Sequence, residues 1–350
     1  MTQWALIGDI GGTHARFALT DLAAAEPRFE HERTLDDADY GSLAGAALDF
    51  LQTTSARPSL AALAVAGPAD GEQISLTNHA WSFRRDALRR QLGVDTLLLV
   101  NDFTAIAWAA PQLAQSDRVP LQGPVRIPPE APVTLVGAGT GLGVGLLVQP
   151  PAQRWQVIAT EGGHAGFAPT DDEERAIGDW LATRYGRVSN ERLLSGRGLS
   201  HIDAALRGLK PAAAPAPQQG ERDAKDIVDA ALQGTDVHAR RALARFCRIY
   251  GAVAGDAALM HGARTVLIAG GMVLHFAEFF RNSGFMDAFV AKGRHTRYMK
   301  SMAVQVIVHA NPGLLGAAVA LRERHAQHGA GGARQATQTL GRHDNRAHDG

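Results

Sequence analysis

Short apolar runs alternate along this chain with longer stretches in which apolar residues recur at helical spacing, and that alternation predicts a mixed α/β fold. The short runs predict strands over residues 4–8, 16–20, 63–66, 73–76, 97–100, 133–136, 144–148, 266–269 and 304–309. The helical spacing predicts helices over 42–53, 83–92, 104–110, 172–185, 190–194, 199–207, 224–232, 237–261, 273–283 and 313–325. In the longest of these, Arg241, Arg245 and Arg248 stand opposite Leu243, Phe246 and Tyr250, so the basic edge reads as a solvated face, with a partner surface the alternative. Residues 210–220, with Pro211, Pro215 and Pro217, read as a surface loop. Apolar residues become scarce over 326–350, where a disordered tail is expected because little burial is on offer to offset the ordering entropy.

Two segments share one texture. Leu6-Ile7-Gly8-Asp9-Ile10-Gly11-Gly12-Thr13 continues into Arg16-Phe17-Ala18-Leu19, and Leu135-Val136-Gly137-Ala138-Gly139-Thr140-Gly141 continues into Val144-Gly145-Leu146-Leu147. Each is an apolar strand, a Gly/Thr turn and a second apolar strand, which suggests a duplicated domain plan with a cleft between the copies. Successive glycine N–H groups can converge on an anion, and threonine adds a hydroxyl donor. Turns of this kind also join strands and bind nothing. No Gly-Lys dipeptide occurs, so there is no Walker A loop, and no Gly-x-Gly-x-x-Gly register fits residues 137–145. A third glycine pair, Gly270-Gly271, follows an apolar strand and would let a purine or ribose lie against bare backbone. Asp9, in the first turn, would repel a triphosphate unless a cation stood between them. It is therefore either an outer-shell Mg²⁺ partner or an aspartate that orders its own turn.

Composition narrows the classes. The length, 350 residues, suits about two domains, and 35 Lys+Arg against 35 Asp+Glu leaves no excess of positive charge for a polyanion. Cys247 is the single cysteine, and no Cys/His cluster has zinc spacing. The start of the chain lacks the pattern of an export signal, Asp9 falling where the apolar run would be. Residues 131–148 are free of charge, yet glycine at 137, 139, 141, 143 and 145 suits a strand-turn-strand rather than a membrane span. A cytoplasmic protein with neither nucleic-acid nor membrane partners is expected.

Seven motifs then occur in order: Gly8-Asp9-Ile10-Gly11-Gly12-Thr13, Thr77-Asn78-His79-Ala80-Trp81, Asn101-Asp102-Phe103-Thr104-Ala105, Gly137-Ala138-Gly139-Thr140-Gly141-Leu142-Gly143, Glu161-Gly162-Gly163-His164, Leu194-Ser195-Gly196 and Asn311-Pro312-Gly313-Leu314-Leu315-Gly316. Together, from residue 3 to about residue 322, they closely resemble the bacterial glucokinase family of the hexokinase type, within the actin/sugar-kinase/Hsp70-like superfamily. The resemblance implies a two-domain ribonuclease-H-like fold, glucose and ATP as substrates with Mg²⁺, transfer to the sugar 6-hydroxyl, and a homodimer. It implies a small domain over 1–112, rejoined by 303–325, and a large domain over 113–302. Asp102 falls on the family's catalytic aspartate, and Asn101, Glu161, His164 and Glu191 on its sugar ligands. Gly8, Asp9, Ile10, Gly11, Gly12 and Thr13 match the first nucleotide-phosphate turn. Gly137, Gly139, Thr140 and Gly141 match the second, and Gly270 and Gly271 the adenosine platform. His14 departs from the family's usual Asn, and the chain carries no counterpart of the zinc motif of the other bacterial sugar-kinase branch.

The residue types suit that chemistry. Phosphoryl transfer needs a base at the accepting hydroxyl, and an ionised aspartate after a strand can supply one. The same aspartate could instead only cap the helix that follows. Carboxylates, an amide and a neutral imidazole match the alternating hydroxyls of a hexose, with Asn78 a further sugar-ligand candidate and His79 and Trp81 either contacting the sugar or packing beneath it. Mannose, fructose or glucosamine would meet the same polar groups, and a sugar-sensing regulator on the same scaffold is the non-catalytic alternative.

Overall fold

The structure is a computed structural model and describes residues 3–76, 81–124, 131–216 and 218–340. The chain forms two compact units, one running through Gln112 and resumed at Asn311, the other spanning Leu113–Ala310. The first unit holds β1 (Trp4–Ile10), β2 (His14–Asp21), β3 (Phe29–Asp36), β4 (Leu60–Val65), a ribbon of β5 (Gln73–Ser75) and β6 (Ser82–Arg84), and β7 (Thr96–Asn101). Its main sheet is ordered β3-β2-β1-β4-β7, antiparallel from β1 outward to β3 and parallel from β1 to β7. Every residue of β4 is buried, as a parallel strand covered on both faces requires. Helices α1 (Leu43–Gln52), α2 (Arg85–Leu92) and α3 (Asp102–Ala109) complete this part. Phe50 of α1 and Leu88 of α2 share a core with Leu6, Phe17 and Leu63 from one face of the sheet.

The second unit holds β8 (Arg118–Gln122), β9 (Val133–Ala138), β10 (Leu142–Val148), β11 (Gln156–Thr160), β12 (Thr265–Ala269) and β13 (Ala303–Ile307). Its sheet is ordered β11-β10-β9-β12-β13-β8. From β11 to β13 the order and strand senses repeat those of β3 to β7, so the two hairpins seen in the sequence open two copies of one plan. Eight helices follow: α4 (Asp172–Tyr185), α5 (Gly196–Leu206), α6 (Ala224–Gln233), α7 (Val237–His261), α8 (Gly271–Leu274), α9 (Ala277–Arg281), α10 (Phe285–Val290) and α11 (Thr296–Lys300). The core of this unit is strongly aromatic, with Tyr250 of α7 against Phe246, Phe280 and Phe285. The chain then returns through α12 (Pro312–Leu340), whose Leu314, Ala317 and Leu321 cover Ala5, Ile7 and Ala62 on the other face of the first sheet.

Several local expectations change. Strands β3, β8 and β11 have no forecast, and β6 takes the start of the helix expected over 83–92; β3 and β11 are edge strands exposed along most of their length, so neither shows an apolar run. The stretch 190–194 is a 3-10 turn at Asn190–Arg192, and 273–283 breaks between α8 and α9. Residues 303–307, expected to rejoin the first domain, pair with β12 and β8 inside the second sheet. Sheet membership is set by partner strands far along the chain, which local pattern does not reveal. Helix α12 continues to Leu340, past the expected end at residue 325, while 341–350 lie outside the described residues. Arg245 is not on a solvated face: it binds Asp171, Glu173 and Glu174 at the start of α4. Among the described residues no helix is long and apolar enough to cross a membrane.

Candidate active site

In the first unit, β1 and β2 meet through a turn closed by Gly11 N–H donating to His14 O at 3.0 Å. Gly8 is tightly enclosed, since a Cβ there would lie 2.7 Å from Leu63 Cδ2. Asp9 pairs in register with Arg16 across the hairpin. Burial pushes the Asp9 carboxyl up to about 6; Arg16 opposes that shift and the negative charge of Asp102 adds to it. A Cβ on Gly313, in the first turn of α12, would fall 2.5 Å from Asp9 Cγ. The carboxylate therefore rests against a helix N-terminus, where exposed N–H groups favour negative charge.

Asp102 is the first residue of α3, directly after β7. Asn101, not Asp102, is the cap: its Oδ1 accepts from Phe103 N–H at 3.0 Å and Thr104 N–H at 3.1 Å. Asn101 Nδ2 donates to Asp102 Oδ1 at 3.0 Å, and Phe103 N–H donates to the same oxygen at 2.8 Å. Burial holds the Asp102 carboxyl above the ordinary carboxylate value, and these two hydrogen bonds partly offset it.

In the second unit, β9 and β10 meet through a turn in which Gly139 N–H donates to Gly141 O at 2.9 Å. Tyr250 Oη donates to Val136 O at 2.9 Å and accepts from Ala138 N–H at 3.2 Å, anchoring the strand that leads into the turn. Gly270 has φ 94°, and a Cβ there would collide with Ala138 O, so the backbone demands glycine twice over. Gly271 opens α8 with free space before it. Glu161-Gly162-Gly163-His164 forms a 3-10 turn laid on β10: a Cβ on Gly162 would crowd Val144, and one on Gly163 would strike Leu142 O. This turn brings His164 Nε2 to 3.8 Å from Glu161 Oε2, and His164 Nδ1 to 3.8 Å from Glu191 Oε1. Arg187 donates to His164 O at 2.7 Å and steadies the turn.

A glucokinase family model matches residues 6–324. The chain belongs to the glucokinase family. A glucokinase of Psychromonas ingrahamii is 41% identical over 324 residues, 92% of this chain and 98% of the relative. The crystal structure of a glucokinase from an Antarctic psychrotroph superposes with TM-score 0.79 at 32% identity, covering 92% of this chain and 100% of that one. The glucokinase of Balamuthia mandrillaris, solved in complex with glucose, shares the fold at TM-score 0.74 and 21% identity, over 92% of this chain and 94% of its own.

Set against the glucokinase motifs, the structure gathers Asp9, Asn101 and Asp102 in the first unit and Glu161, His164 and Glu191 in the second. Asn78 and His79 lie outside the described residues. Trp81 is buried, and its indole N–H donates to Tyr40 O at 3.2 Å. Four residues carry no assigned role in the sequence reading: Arg16, Arg187, Gly313 and Gly316. Arg16 acts through hairpin register and Arg187 through a contact 23 residues away. The two glycines lay inside a quoted motif, but local pattern does not say what their missing side chains make room for.

Proposed function

We propose that the chain transfers the γ-phosphoryl group of ATP to the 6-hydroxyl of glucose, with Asp102 as the base. The observation that carries this is the Asp102 carboxylate at the head of α3, relieved of capping by Asn101 and held at one oxygen by two donors. Asp102 takes the proton of the 6-hydroxyl as that oxygen bonds to the γ-phosphorus and the bond to the departing ADP breaks. Burial raises its pKa, which makes it a stronger base than an exposed aspartate. Glu161, His164 and Glu191 grip the other hydroxyls; leaving such a group unpaired costs about 1–3 kcal/mol, which is a basis for rejecting epimers.

The nucleotide phosphates are assigned to the backbone donors of residues 11–13 and 139–141. The residues present fit a magnesium ion carried in with the nucleotide. Among the described residues no cluster of three His, Cys, Asp or Glu side chains offers a protein cage, whereas the Asp9 carboxyl, buried enough to sit at about 6, gains from a nearby cation. When bound, magnesium would offset the phosphate charge, with Asp9 at its outer shell. A cytoplasmic homodimer is the corresponding proposal for location and assembly, resting on the family resemblance.

The test is Asp102→Ala. In a coupled ADP assay with glucose, mannose, fructose and glucosamine, it should still bind glucose but phosphorylate it at least about a hundredfold more slowly. Near-normal turnover would remove Asp102 from its assigned role.

A further inference from the structure

Gly141 belongs to the second turn, and its backbone has no left-handed φ that would demand glycine. Among the described residues beyond its chain neighbours, a Cβ there would meet one group only, the Glu191 carboxylate, at 2.6 Å from Oε2 and 3.4 Å from Cδ. The same Oε2 accepts from Leu142 N–H at 3.1 Å, while Oε1 faces His164 Nδ1 at 3.8 Å. Glu191 is fastened to this turn from its backbone as well. Its carbonyl accepts from Ser195 Oγ at 3.0 Å, and Gly196 N–H donates to Gly139 O at 2.9 Å. One carboxylate oxygen is thus docked on the turn and the other is offered toward His164.

We propose that Gly141 is a positioning residue for the sugar: its missing Cβ is the seat of the Glu191 carboxylate, and this seat sets where that carboxylate meets a hexose hydroxyl. The proposal rests on the glucose-kinase reading above and deepens it, because the phosphate-turn reading alone assigns Gly141 to the nucleotide. A Cβ at position 141 meets the far end of a flexible side chain, so it displaces the carboxylate without unfolding the protein.

The experiment is Gly141→Ala, with glucose Kd measured without nucleotide, nucleotide Kd measured without sugar, and steady-state kinetics for both. Glucose Kd and KM should rise at least tenfold, nucleotide Kd should change less than threefold, and Tm should stay within about 2 °C of wild type. Adding Glu191→Asp, whose shorter side chain withdraws the carboxylate from the new methyl, should recover part of the lost glucose affinity. Unchanged glucose affinity, or a loss falling equally on nucleotide, would overturn the positioning role, as would a double variant with no recovery. Wild-type protein that neither binds nor phosphorylates glucose would overturn the underlying functional reading as well.

Discussion

Asn101 illustrates how much of an active site is preparation. Its two amide protons go to Asp102 Oδ1 and Gly67 O, and its oxygen takes two helix N–H groups, so its hydrogen-bonding capacity is engaged within its own unit. It orients the Asp102 carboxylate, the proposed base, and stabilises its charged form. Replacing it by aspartate keeps the capping oxygen but removes the donor and adds a like charge. Both changes favour protonated Asp102, whose pKa burial already raises. With Asp102 as the proposed base, which must be ionised to act, activity is lost as pH falls through that pKa. The acid limb of kcat for Asn101→Asp should therefore move to higher pH, by at least about one unit, with little change at alkaline pH. A limb that stays in place or moves to lower pH would contradict this.

At the scale of elements, α12 does two things with one face. Gly313 makes room for the Asp9 carboxylate, and Gly316, one turn on, lets the helix backbone lie against Ala105 O of α3. The helix that carries Asp102 is thus seated on the helix whose N-terminus backs Asp9. Gly316→Ala would drive Cβ into that carbonyl and should cost about 1–3 kcal/mol, read as a lower Tm. Wild-type stability in thermal melts would show that the two helices can part without cost. Elements covered on both sides, such as β12, were legible because burial demands unbroken apolar runs. The edge strands β3 and β11 were not, since nearly all of their residues face water and no apolar pattern marks them. Helix α7 was legible in its bounds, yet the partners of Arg245 depend on where α4 packs.

At the scale of the molecule, the two units differ in continuity. The second is one uninterrupted stretch, Leu113–Ala310, whereas the first needs the chain from Asn311 to finish it. Without α12, one face of the first sheet would expose Ala5, Ile7, Ala62 and Ala64 to water. A protein of residues 113–310 should accordingly melt cooperatively by itself, and one of residues 1–112 should not, with near-UV circular dichroism and thermal melts as the measure. A cooperative transition in the 1–112 fragment would mean that α12 is dispensable to the core.

Taken alone, the sequence determined the family and the duplicated hairpin plan and named the candidates for the chemistry, because motifs, apolar runs and turn glycines are local properties of the chain. Which of those residues meet was decided by tertiary structure. Glu191 reaches Leu142 N–H across 49 residues, and Asp9 rests on a helix that begins at Pro312. Such contacts depend on strand register and helix seating, which sum over the whole fold. A glycine therefore reads locally as a phosphate turn, and only packing shows that its missing side chain is another residue's place.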